Sequence, residues 1–211
     1  MMLRRLVIFA AIIAIAASWL SQSTSGKQRS QFFKSRMVDA NALLIERKLQ
    51  QKATAARSFV EQKDYNDKTA FFIDMSLASG KPRFFIYDLK KDSVTAEGLV
   101  AHGNCFEGWL EGRRYSNVVG SGCTSLGKYK IGISYIGKWG YSYKLHGLDS
   151  SNNNAFERTV VLHGHSCVPG SETEDEICQS NGCPTVNPDF LEQLKKIINN
   201  SRKPVLLWIY D

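Results

Sequence analysis

Residues 178–186 read CQSNGCPTV, which places Cys183 between Gly182 and Pro184. A thiol so placed can attack a carbonyl if it ionises and if N–H donors face the oxyanion that the attack creates. Gly182 lacks a side chain, so the backbone can turn until the amides of Gly182 and Cys183 point to one place. Pro184 then directs the exit, because its ring restricts its own φ and biases Cys183 towards extended conformations. The same residues also suit an inert cysteine buried in a tight turn, and spacing alone leaves both readings open.

A neighbouring imidazole would favour the nucleophile, since it can draw a thiol pKa from about 8.5 to below neutrality. His163 follows the apolar run VVL and precedes Gly164, so a rigid strand can hold the ring while glycine leaves room beside it. His165 is a rival, because residues i and i+2 share one face of a strand. His102, in VAHG, closes another expected strand and is a further candidate for the same cleft, whereas His146, in KLHGL, reads as structural. His163, His165, Cys167, Cys178 and Cys183 are also ligand types for tetrahedral zinc, but no CxxC pair accompanies them.

These side chains need a framework. FFIDM and RFFIYDL, joined through SGKP, predict a β-hairpin, and DS then breaks the pattern before TAEGLVAHG. Residues 103–127 carry so many glycines that close-fitting loops are expected. KYKIGISYIG and YSYKLHGL alternate around GKWG as a second hairpin, DSSNNNAFER is a polar loop, and RTVVLHG is a buried strand. SETEDEI is a solvated acidic loop. Asn187 and Pro188 supply a cap and a first-turn proline for a helix through FLEQLKKIINN, and PVLLWIY forms a closing strand. Upstream, residues 37–62 hold strong helix formers without Gly or Pro, with Ala40, Leu43 and Leu44 near helical spacing. A mostly β chain is therefore expected, with an N-terminal helix and one helix after Cys183.

The 211 residues suit one catalytic-sized domain behind a short leading segment, and 43% hydrophobic residues exclude collagen, coiled coil or general disorder. A net charge of +7 permits anionic partners. The basic residues are scattered, however, and no nucleic-acid module accompanies them, so nucleic acid is not an expected partner. MMLRR precedes LVIFAAIIAIAASWL, an uncharged run of fifteen residues. That is short of the about 20 residues of a membrane span and fits a secretory leader, with an uncleaved anchor as the alternative and the only expected tie to a membrane. Export to the periplasm or cell envelope is expected either way. An oxidising compartment makes the five cysteines informative, because an odd count leaves at least one thiol unpaired or paired to another molecule. With Cys183 free, Cys105–Cys123 and Cys167–Cys178 are the favoured pairs, each closing a short loop-like stretch; five reduced, buried cysteines are the alternative.

His163-Gly164 followed by Ser180-Asn181-Gly182-Cys183 resembles the signature of L,D-transpeptidases with the YkuD-type catalytic domain. The Gly-Cys-Pro ending resembles the murein L,D-transpeptidase branch. FFIYDLKKDSV, LVAHG, YSNVVGSGCTSLGKYKIG, YIGKWGYSYKLHGLD, TVVLHG and SNGCPTV follow that branch's order. The resemblance implies a β-rich sandwich or barrel-like catalytic domain over residues 70–211, behind a leader or anchor over 1–25 and a helical lead-in over 26–69.

The resemblance also implies roles. Cys183 would be the acyl-accepting nucleophile and His163 its base. Gly164 would offer a backbone carbonyl that orients the imidazole, Ser180 would brace the site, and the amides of Gly182 and Cys183 would form the oxyanion hole. Asn117, Ser125 and Tyr141 sit in matching blocks, and with His102 are expected along the substrate groove. The implied chemistry is acyl transfer on peptidoglycan stem peptides by a monomer, without metal or organic cofactor. The acyl acceptor is an amine of another stem, or water in an L,D-carboxypeptidase. A non-enzymatic zinc or wall-binding module is the competing class. The wider family often carries Arg or Asn shortly after the nucleophile, where this chain has Pro184-Thr185, so that role does not transfer.

Overall fold

The computed structural model describes residues 41–211. The leader expected over residues 1–25, and residues 26–40 of the lead-in, lie outside the described residues. Helix α1 is described over 41–62. From Gln50 onward it belongs to the same compact unit as the rest of the chain. There Ala53, Ala56 and Val60 are buried, so a single stripe of the helix faces inward. Arg57 fastens that stretch, donating from Nε to the Leu89 carbonyl at 2.9 Å and pairing with Asp92.

Nine strands follow: β1 (Thr69–Asp74), β2 (Phe84–Asp88), β3 (Ser93–Gly98), β4 (Val100–Ala101), β5 (Gly127–Gly137), β6 (Gly140–Gly147), β7 (Val161–Gly164), β8 (Thr185–Val186) and β9 (Leu206–Tyr210). They form one sheet in the order β3-β2-β1-β9-β5-β6-β7-β8-β4. Strands β3 and β4 stand at opposite ends of that order, yet only Leu99 separates them in the chain. The sheet therefore has to curl until its edges come together, and the mostly β, barrel-like form expected from the sequence results.

The hairpins form where alternation and turn residues place them. Strand β5 pairs antiparallel with β6, and β1 with β2. The first half of β5 alternates inward and outward residues, burying Tyr129 and Ile131; beyond Ile131 both faces are exposed, so the hairpin runs on past the core. One boundary differs from expectation. The chain reverses before DS rather than at it, because Asp88 Oδ1 accepts the amides of Lys90 and Lys91 at 2.9 and 2.8 Å and lets β3 begin at Ser93.

The inner face of the sheet packs Phe71, Phe84, Tyr129, Leu145, Leu162 and Leu207 with one face of helix α2 (Pro188–Asn199). Asn187 caps α2 by accepting the Asp189 amide, and Pro188 occupies the first turn. Phe190, Leu191 and Leu194 are the buried positions of α2, each contributing about 1.5–3 kcal/mol of burial. Helix α2 thus fixes the chain that leaves β8, immediately downstream of Cys183.

Candidate active site

Strand β7 delivers His163. It pairs antiparallel with β6, setting Ser142 opposite His163, and parallel with β8, setting Thr185 beside His163. Side chains in register on neighbouring strands share a face, so the His163 ring meets the Thr185 hydroxyl, with Nε2 3.0 Å from Oγ1. The other ring nitrogen, Nδ1, lies 3.1 Å from the Gly164 carbonyl. A carbonyl only accepts, so Nδ1 carries the proton and Nε2 presents the lone pair that a base needs.

The turn that carries Cys183 is braced from two sides. Ser180 donates its amide to the His102 carbonyl at 2.8 Å, and its own carbonyl accepts the Asn104 amide at 2.7 Å. Its hydroxyl donates to the Cys183 carbonyl at 2.7 Å and accepts the Gly182 amide at 3.2 Å. Gly182 has φ +105°, and a Cβ there would fall 2.7 Å from the Cys123 carbonyl oxygen, so both conformation and space require glycine. Cys123 is itself tied to Cys105 in a disulfide, and a second bridge joins Cys167 to Cys178; both are the pairs expected from loop length, and Cys183 is free.

Cys183, His163, His165, Thr185, Ser180 and Trp139 line one open cavity of about 320 Å³, and the Cys167–Cys178 bridge forms part of its wall. Within it the sulfur is turned inward. Cys183 Sγ accepts the Val161 amide at 3.5 Å and lies 4.0 Å from the Thr159 carbonyl oxygen, and no hydrogen bond joins it to His163 among the described residues. Burial pushes the thiol pKa up, against the opposing pull of the Val161 N–H and the Arg158 guanidinium. Burial also pushes His163 down, against its bond to Gly164 and reinforced by neighbouring His165. Cysteine and histidine therefore rest as a neutral pair rather than as an ion pair.

The oxyanion donors differ from expectation. The Gly182 amide is taken up by Ser180 Oγ inside the turn, so it does not stand free beside that of Cys183. The Cys183 amide has no protein acceptor among the described residues.

Of the four residues expected along a groove, none lines this cavity. His102 is buried behind the turn, with Nδ1 3.0 Å from Arg83 Nη2; burial, then Arg83 and Arg113, press its pKa down to about 4. Asn117 latches two loops, donating to the Ser150 carbonyl at 3.0 Å and to Asn153 at 2.6 Å. Ser125 is buried against the Tyr129 hydroxyl at 2.7 Å. Tyr141 faces α2, accepting from Asn199 at 3.3 Å with Lys195 4.3 Å from its ring centre. As for zinc, the Cys167–Cys178 bridge consumes two of the five proposed ligands.

Three participants escaped sequence reasoning. In the sequence Thr185 reads only as a departure from a motif, and strand β8, which no sequence signal announces, puts it beside β7. Trp139 reads in the sequence as part of a turn, yet its ring stacks on His163 with centres 5.5 Å apart and planes 19° apart. Arg158, in the polar loop, donates to the carbonyls of Ser116 and Cys123 and to Ser121 Oγ, at 2.7, 2.5 and 3.2 Å. It thereby ties the glycine-rich segment to the wall behind Cys183.

Among solved structures, the chain is similar to the helical cell shape determining protein Pgp2 of Campylobacter jejuni, with 13% identity and a TM-score of 0.46, over 70% of this chain and 49% of that one. It is also similar to an L,D-transpeptidase of Xylanimonas cellulosilytica, with 16% identity and a TM-score of 0.39, over 67% and 60% of the two chains. For an L,D-transpeptidase of Mycobacterium smegmatis the values are 10%, 0.42, 68% and 59%. The matched region spans about half to three fifths of the length of these structures. No curated protein matches. The family model of the L,D-transpeptidase catalytic domain matches residues 41–210, and on that match the chain belongs to the L,D-transpeptidase catalytic domain family.

Proposed function

We propose that the chain is an exported transpeptidase that uses Cys183 to transfer acyl groups between peptidoglycan stem peptides. One observation carries this reading: Cys183 and His163 line the same cavity, and the Gly164 carbonyl holds the imidazole proton on Nδ1, which leaves Nε2, met by the Thr185 hydroxyl, as the basic nitrogen. Two disulfides support export to an oxidising compartment.

In this reading the Cys183 side chain turns from Val161 towards the cavity, and His163 Nε2 takes the thiol proton as sulfur attacks the carbonyl of an L-centred diamino acid. The Cys183 amide faces the oxyanion. Collapse expels the terminal D-alanine, whose amine leaves with the proton from His163, and a thioacyl enzyme remains. The amine of a neighbouring stem then attacks the thioester, returning the proton to His163 and thiolate to Cys183, and links two third residues.

Purified muropeptides incubated with the protein test this, with products resolved by mass spectrometry. Loss of D-alanine and new 3-3 dimers are expected, with neither formed by Cys183→Ala. Release of D-alanine without dimers would identify an L,D-carboxypeptidase instead. Turnover that survives Cys183→Ala, with no acyl adduct on the intact chain after carbapenem exposure, would overturn the nucleophile.

A further inference from the structure

The reversal between β5 and β6, Gly137-Lys138-Trp139-Gly140, places a tryptophan where a tight turn needs only glycine and polar residues. The surrounding hairpin is open to solvent, with Ile133 and Ile136 71% and 76% exposed. Trp139 is itself 43% exposed, but one face of its ring has partners: it lies over His163, meets His165 edge-on at 5.5 Å and 70°, and lines the cavity of Cys183.

The two hydrogen bonds of His163, to Gly164 and Thr185, both act at the rim of its ring. They fix rotation within the ring plane and leave the faces uncovered. A stacked indole at this separation is attractive in its own right and excludes water from one face. We propose that Trp139 is a positioning residue for His163, shielding one face of the imidazole from water and holding its tilt so that the ring stays in place beside the cavity it shares with Cys183. The proposal rests on the reading of His163 as the base for Cys183.

The charged and titratable groups around that ring are known. His165 stands on its own strand end, Cys183 faces it across the cavity, Lys138 Nζ lies 4.9 Å from the Trp139 ring centre, and Arg158 stands behind Cys183. Of these, His165 disfavours an imidazolium at His163, and it remains when the indole is removed. Desolvation is the leading cause of the lowered His163 pKa, and it is the contribution that removal of the indole reduces.

The test is an NMR titration of the His163 ring in the full chain, in wild type, Trp139→Ala and Trp139→Phe. Loss of the ring is expected to move the His163 midpoint up towards the ordinary value of 6.5, and phenylalanine to keep it near wild type. The acid limb of kcat/KM on stem peptide moves up in step in the alanine variant, at unchanged Tm. An unchanged midpoint in Trp139→Ala, or a phenylalanine variant as displaced as the alanine one, overturns the proposal. If the alanine variant does not fold, Trp139→Leu replaces it: an intermediate midpoint supports the proposal and a wild-type midpoint overturns it. Wild type that folds but leaves stem peptides untouched would sink the transpeptidase reading, and the ring titration would still decide the role of Trp139.

Discussion

Thr185 Oγ1 sits 3.0 Å from His163 Nε2, and the two residues are register partners across the parallel pairing of β7 with β8. The hydroxyl occupies the lone pair that would receive the thiol proton, while Cys183 Sγ rests on the Val161 amide. Chemistry then starts with an exchange of partners, in which sulfur leaves a backbone N–H and takes the place of threonine at the imidazole.

Removing that hydroxyl has a defined cost. Thr185→Val keeps the shape of the side chain but leaves Nε2 of a buried ring without its partner, a loss of about 1 kcal/mol in ring placement. Because that bond is given up before proton transfer, its loss raises the resting site towards the transition state. We expect kcat to rise roughly fivefold with KM little changed, and Thr185→Ser to return it to the wild-type value. Equal kcat in the valine variant would remove Thr185 from the site's design.

Arg158 lowers the Cys183 pKa through its positive charge, in opposition to burial. Arg158→Gln deletes that charge, so the thiol pKa rises further and less thiolate is present at any pH below it. Iodoacetamide labelling of Cys183 should be slower in the variant at neutral pH, with its rate midpoint displaced to higher pH. A midpoint unmoved by the change would show that the charge is screened from the sulfur.

His102 predicts the shape of acid unfolding. Its folded pKa is about 4 against an ordinary 6.5, so the unfolded chain binds the proton first as pH falls. Its contribution is complete above pH 6.5 and is lost between 6.5 and about 4, amounting to about 3 kcal/mol. His163 is lowered as well and adds in the same direction, so a residual slope remains without His102. Urea unfolding at several pH values should show a shallower loss for His102→Gln than for wild type. Parallel curves would place the acid sensitivity elsewhere.

The strands around the site were legible because they obey periodicity: VVLHG reads as a buried strand ending in histidine, and Asn187-Pro188 reads as a helix start. The cysteine pairs were legible because short loops between them leave few choices. What was not legible depends on pairing between distant segments. Thr185 reaches His163 only through the β7–β8 register, and Trp139 reaches it only because the β5–β6 hairpin continues past the core. The Gly182 amide was expected to stand free, and a local bond to Ser180 Oγ two residues back engages it instead. His102, Ser125, Asn117 and Tyr141 fall in blocks that hold the framework, so their types fit a site while their partners are structural.

Strand β9 lies between β1 and β5, parallel to one and antiparallel to the other. Among the described strands, its pairing alone joins the group β3-β2-β1 to the group β5-β6-β7-β8-β4 that carries the thiol and the imidazole. At the far edge the Arg83 side chain beside β2 donates to the Val100 carbonyl of β4. In chain order it comes after every other strand. Until this last segment has emerged from synthesis, the two groups are therefore joined only at the opposite edge, through Leu99 and the Arg83 side chain, and the seam beside β5 stays open.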